Sequence, residues 1–142
     1  MTKIQSIVEE LVQISEWFYD LEIDCNDINR MILERTKLTA LLTSLTSEMV
    51  EQGRQKSMLK VAYKRKQAEW QLQFIKKGDT AKSAELKSIV QTAQDKEAFE
   101  VQQTYYFDLA RMVESFFELD GALSQRIAYL REELKKTQMF GS

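Results

Sequence analysis

Residues 95–136, DKEAFEVQQTYYFDLARMVESFFELDGALSQRIAYLREELKK, repeat their apolar side chains with a helical period. Phe99, Tyr106, Val113, Asp120, Ile127 and Leu134 recur every seven residues, and Gln102, Leu109, Phe116, Leu123 and Leu130 fall between them. Steps of three and four belong to a helix with a heptad seam. The stretch predicts a single helix from about Asp95 to Lys136, roughly 60 Å long at 1.5 Å per residue. Asp120, beside Gly121, interrupts the apolar row, as a device that fixes register or as an ion-pair partner. Tyr105, Met112 and Leu119 add a further column, so this helix has more than one neighbour to pack against. Tyr106, Leu109, Val113, Phe116, Leu123, Ile127 and Leu130 are therefore the candidate oligomerisation residues, in a bundle or a ring of chains.

The N-terminal end repeats the theme. Thr2-Lys3-Ile4-Gln5 has the order of a capping box, with Thr2 as N-cap and Gln5 reaching back. Ile4, Leu11, Phe18, Cys25 and Ile32 then share one seam position, and Ile7, Ile14, Leu21 and Ile28 its partner. Asp24-Cys25-Asn26-Asp27 is a cluster suited to capping a second helix. The unbroken heptad phase through it leaves one bent helix and two helices both open. Farther on, Leu38, Leu42, Leu45 and Met49 continue the apolar spacing among threonines 36, 39, 43 and 46, which lower helix propensity.

Composition agrees with these patterns. The 142 residues contain no Pro and four Gly, so both helix breakers are nearly absent and an all-α protein is expected. We expect one domain over 1–142: an acidic helical part (1–51), a basic helix with a short helix (52–91), and a long assembly helix (92–138). No His is present, which removes the usual neutral-pH acid/base and the commonest metal ligand. No phosphate-cradling GxxxxGK[ST] or GxGxxG occurs, and neighbouring acids such as Glu132 and Glu133 diverge on a helix. The expectation is no catalytic residue, no metal and no cofactor. No apolar run is long enough to span a bilayer. The single Cys25 makes no internal disulfide, and the first residues lack signal-peptide order, so a cytoplasmic setting is expected.

Charge is distributed unevenly. Residues 52–87 hold ten Lys and Arg against three acids, a net of +7, inside a chain whose total is −2. Lys76-Lys77-Gly78 is a helix stop, after which Asp79 or Thr80 caps a short helix over 81–91. Thr92-Ala93-Gln94-Asp95 is a second capping-box candidate. On the helix before the stop, Lys56, Lys60, Tyr63, Lys66 or Gln67, Trp70, Phe74 and Lys77 share one stripe, with Lys64 beside it. The opposite face, Met58, Val61, Ala68, Leu72 and Ile75, is expected to pack, and Arg65 falls near it with its charged head snorkelling outward. Lysines with interleaved rings suit single-stranded nucleic acid, which offers a phosphate and a π-face at every nucleotide. The candidate DNA-binding residues are Lys56, Lys60, Tyr63, Lys64, Arg65, Lys66, Trp70 and Lys77. Tyr63, Trp70 and Phe74 are open to two roles, stacking on bases or inner packing.

Lys60-Val61-Ala62-Tyr63-Lys64-Arg65-Lys66, the following Gly-Asp turn, Lys82-Ser83-Ala84-Glu85-Leu86-Lys87, Asp95-Lys96, Tyr105 or Tyr106 with Leu109, and Gly121-Ala122-Leu123 with Ser124 and Arg126 follow a familiar order. Over roughly residues 56–141 the chain resembles the phage recombination mediator proteins of the UvsY type. The resemblance implies a non-enzymatic helical protein that forms hexameric or heptameric rings and binds single-stranded DNA. It also implies two protein partners, a recombinase and the single-strand-binding protein it displaces, in the cytoplasm of a phage host. The family's DNA-binding lysine and arginine fall on Lys64 and Lys66, the second keeping the charge without the planar fork. The first 50 residues depart from the family.

A purely structural protein is the competing expectation: a coiled-coil scaffold whose basic helix pairs with acidic helices of its neighbours. Binding to a membrane surface is disfavoured by the modest apolar face of the basic helix.

Overall fold

A computed structural model describes residues 2–20 and 27–140. Their regular structure is entirely helical, in the order α1 (Lys3–Asp20), α2 (Ile28–Lys76), α3 (Ala81–Gln91) and α4 (Ala93–Phe140). The all-α expectation holds. The capping box at the start of α1 forms as anticipated: Gln5 N donates to Thr2 Oγ1 (3.2 Å) and Thr2 N to Gln5 Oε1 (3.0 Å).

Residues 3–20 and 28–50 belong to separate helices, α1 and α2. Asp27 is the N-cap of α2, its Oδ1 accepting from Arg30 N at 3.1 Å. A helix that begins afresh has its own phase, which corrects the continuous N-terminal seam. Met31, 3% exposed, enters the core, whereas Ile32, assigned to the seam from the sequence, is exposed. The seam positions Leu21 and Cys25 lie outside the described residues.

The chain divides into two compact units, residues 1–48 with 111–142 and residues 49–110. In the first unit, Ile7, Leu11 and Ile14 of α1, Leu38, Leu42 and Leu45 of α2, and Val113, Phe116, Leu119 and Leu123 of α4 are buried. Met31, Ile127 and Leu130 form a further cluster, closed by Trp17 and Ile28. Full burial of such side chains stabilises by about 1.5–3 kcal/mol each. Of the α4 residues expected to join copies of the chain, Leu109, Val113, Phe116, Leu123, Ile127 and Leu130 are buried within it and Tyr106 is half-buried. Asp120 is an ion-pair partner, accepting from Arg35 Nε at 3.1 Å. Buried Glu34 lies between Arg30 (3.3 Å) and Lys37 (3.6 Å). Thr36, Thr39, Thr43 and Thr46 each donate a hydroxyl to the carbonyl four residues back, so poor helix formers are accommodated with their polar atoms satisfied.

Gly121 sits in the interior of α4 with open space where a Cβ would project. Gly121→Ala is expected to stabilise the protein by about 0.5–1 kcal/mol through helix propensity alone. Thermal unfolding followed by circular dichroism checks this, and a lower midpoint would count against the open space.

In the second unit α2 ends in a Schellman motif. Gly78 takes φ +102°, Asp79 N donates to Phe74 O (3.1 Å) and Gly78 N to Ile75 O (3.0 Å). Thr80 then caps α3, its Oγ1 accepting from Ser83 N at 3.2 Å. Both signals were legible. The capping box at Thr92 does not form: its hydroxyl turns back to Ser88 O at 2.9 Å, and α4 starts at Ala93 without it. Ala84, Ser88 and Thr92, four residues apart, are the buried positions of α3 and its C-cap.

Candidate nucleic-acid interface

The site expected from the sequence lies wholly in the second unit, where α2 and α4 run antiparallel. Tyr63 packs its ring against Phe99, tilted by 38° with centroids 5.5 Å apart. Gln102 Nε2 donates to Gln52 Oε1 at 2.6 Å, and the ring of Tyr106 lies over the bare Cα of Gly53, 3.0 Å from where a Cβ would stand. Lys66 Nζ reaches Asp95 Oδ1 at 3.2 Å.

These contacts fix which face of α2 points inward, and it is the aromatic one. Tyr63 is 6% exposed and Trp70 and Phe74 are half-buried. Of the two roles open to the rings, Tyr63 takes inner packing. This removes it as a stacking platform. The face expected to pack is the outer one: Met58, Val61, Leu72 and Ile75 are 57%, 59%, 60% and 43% exposed, and Ala68 is exposed as well. The physical reason is the phase set upstream. Seven-residue steps from buried Leu42 pass through Met49 and Lys56 to Tyr63 and Trp70, not to Val61 and Ala68.

With Tyr63 inward, a rotation of about 100° per residue distributes the cations. Lys60 and Lys64 stand on one flank and Lys66 on the other, whereas Arg65 points outward among Met58 and Val61. Lys56 is half-buried, its Nζ 4.4 Å from the centre of the Tyr106 ring. Arg54 is held by Glu51 at 2.6 Å; its guanidinium keeps that carboxyl below the usual range, and Glu51 in turn raises the pKa of Arg54. Lys87 pairs with Asp79 at 3.0 Å and lies 5.6 Å from the Phe74 ring, over which Lys77 also sits at 6.0 Å. Trp70 and Phe74 stack on each other with centroids 5.7 Å apart.

The eight expected residues therefore differ in setting. Lys60 and Lys64 share an exposed flank and are paired with no acid among the described residues, and Lys77 stays exposed at the α2–α3 turn with Lys76 and Lys82. Lys66 and Lys56 are engaged, Tyr63 is core, and Arg65 is exposed beside Met58 and Val61, the face on which the spacing puts it. Lys76 and Lys82 were passed over because they lie outside the aromatic spacing; their place beside a helix stop was the available signal. Among the described residues no group of acids, Cys or His is arranged to hold a metal, and no helix is long and apolar enough to cross a membrane. Comparison with protein-family models, with curated proteins and with solved structures finds no match.

Proposed function

We propose that the chain is a non-enzymatic single-stranded DNA-binding protein that acts as a recombination mediator, helping a recombinase load onto the strand. The observation that carries this reading is the charge left uncompensated on α2 and its turn. Arg54, Lys66 and Lys87 are answered by acids, while Lys60, Lys64, Lys76, Lys77 and Lys82 have no acid partner among the described residues. A strand following these side chains releases one counterion set per phosphate held. The half-buried Trp70–Phe74 pair, beside Lys77, is the remaining place for a base to stack. Lys66 stays available, since an exposed pair such as that with Asp95 is worth only about 0–1 kcal/mol and a phosphate can displace the carboxylate. The mediator role, the recombinase and the single-strand-binding protein rest on the family resemblance.

Binding of a fluorescent oligonucleotide across a salt series tests it. The Lys60→Ala, Lys64→Ala double variant should bind about tenfold more weakly, with a log–log salt slope smaller by about 1.4, the share of two single-strand phosphates. Wild-type protein with no salt-sensitive affinity would sink the proposal.

A further inference from the structure

We infer that the outer stripe of α2 in the second unit is a docking seam, and that its occupant is the outward face of α1 from a second copy of this chain. Met58, Val61, Ala68, Leu72 and Ile75, with Arg65 between the second and third, follow three- and four-residue steps on the side away from Tyr63, and nothing in the unit covers them. The helix thus carries two heptad rows, one used internally and one left open. The open row is shaped for a helix. Arg54, Ser57, Met58 and Val61, followed by Met58, Val61, Ala62 and Arg65, outline a shallow groove. Each set has the i, i+3, i+4, i+7 arrangement that receives one side chain of a facing helix.

Charge selects the occupant. Two copies of the stripe laid antiparallel bring Arg65 against Arg65 within a segment of net +7, which repels. The outward face of α1 is the opposite in sign. Glu9, Val12, Glu16 and Tyr19 follow the same steps, with Val12 39% and Tyr19 65% exposed. Over Lys3–Asp20, one lysine stands against four acids, a net of −3. Val12 and Tyr19 supply the apolar insertions, and Glu16 and Glu9 the carboxylates for Arg65 and its neighbours. Each copy then offers α1 to one neighbour and α2 to another, a head-to-tail contact that closes into a ring or runs on as a filament. This seam replaces the α4 residues, which serve the interior of the chain.

Sedimentation velocity of the full-length protein over a concentration series, at low and high salt, tests the assignment. Wild type should self-associate, less at high salt. Val61→Glu with Leu72→Glu sets carboxylates into the seam and should weaken self-association about a hundredfold, with the melting temperature unchanged. If that variant loses helical signal, Val61→Ser with Leu72→Ser makes the same measurement with less perturbation. Glu9→Lys with Glu16→Lys should also dissociate the assembly, and adding Arg65→Glu should recover part of the loss. A wild type that stays monomeric overturns the inference, as does unchanged mass in the α2 variants. If the α2 variants dissociate the assembly and Glu9→Lys, Glu16→Lys does not, α1 is not the occupant and the inference fails.

Discussion

Leu123→Ala is expected to cost the protein about 2–5 kcal/mol and to lower its melting temperature by roughly 6–15 °C. Leu123 is 0% exposed in the middle of α4, so truncation opens a cavity that its neighbours fill only in part. The same substitution separates the two roles that α4 has been given. A residue inside the chain shifts the melting temperature equally at every protein concentration. One between copies gives a midpoint that rises with concentration and a mass that falls in the variant. Thermal unfolding at two concentrations a hundredfold apart, with mass measured alongside, reads both. Unaltered melting with a lower mass would return Leu123 to an interface.

Tyr63→Ala is the second large effect, about 3 kcal/mol or more by analogy with other buried aromatic truncations. The loss should fall on residues 49–110, because Tyr63 packs on Phe99 within that unit. Hydrogen exchange resolved by segment should show those amides opening while residues 28–48 stay protected. Tyr63→Phe keeps the ring and should leave both stability and oligonucleotide affinity within experimental error of wild type. Were Tyr63 a stacking platform, Tyr63→Ala would remove affinity from an intact fold. That outcome would refute its place in the core.

Helix identity was legible because little in the sequence opposes it: no Pro, clear caps at Thr2 and Thr80, and a glycine where the turn after α2 requires positive φ. The heptad rows of α4 were legible as well, but periodicity reports which residues are buried and not whether the neighbour is the same chain. Hence the spacing of Val113, Phe116 and Leu123 fits assembly and core equally, and the structure buries them within the chain. The basic helix failed for a different reason. It has two rows in different phases, one aromatic and polar, the other aliphatic, and hydropathy alone favours burying the aliphatic one. Two clues pointed the other way. The phase of Leu38, Leu42 and Leu45 leads to Tyr63, and the polar seam residues of α4 match those of α2 in kind: Asp95 with Lys66, Gln102 with Gln52, Asp120 with Arg35.

Those matched polar residues bear on how the chain avoids mispairing. A heptad surface is degenerate: sliding one helix past its partner by seven residues sets leucine against leucine once more. In the first unit such a slide moves Asp120 from Arg35 to the level of Ile28 or Leu42, and leaves the arginine facing Val113 or Ile127. In the second it strands the two half-buried glutamines, Gln52 and Gln102. Each buried or half-buried polar group left without its partner costs about 1–3 kcal/mol. The slid isomers are thereby raised well above the native pairing although their apolar contacts are nearly as good, and a repetitive sequence acquires a single energetic minimum.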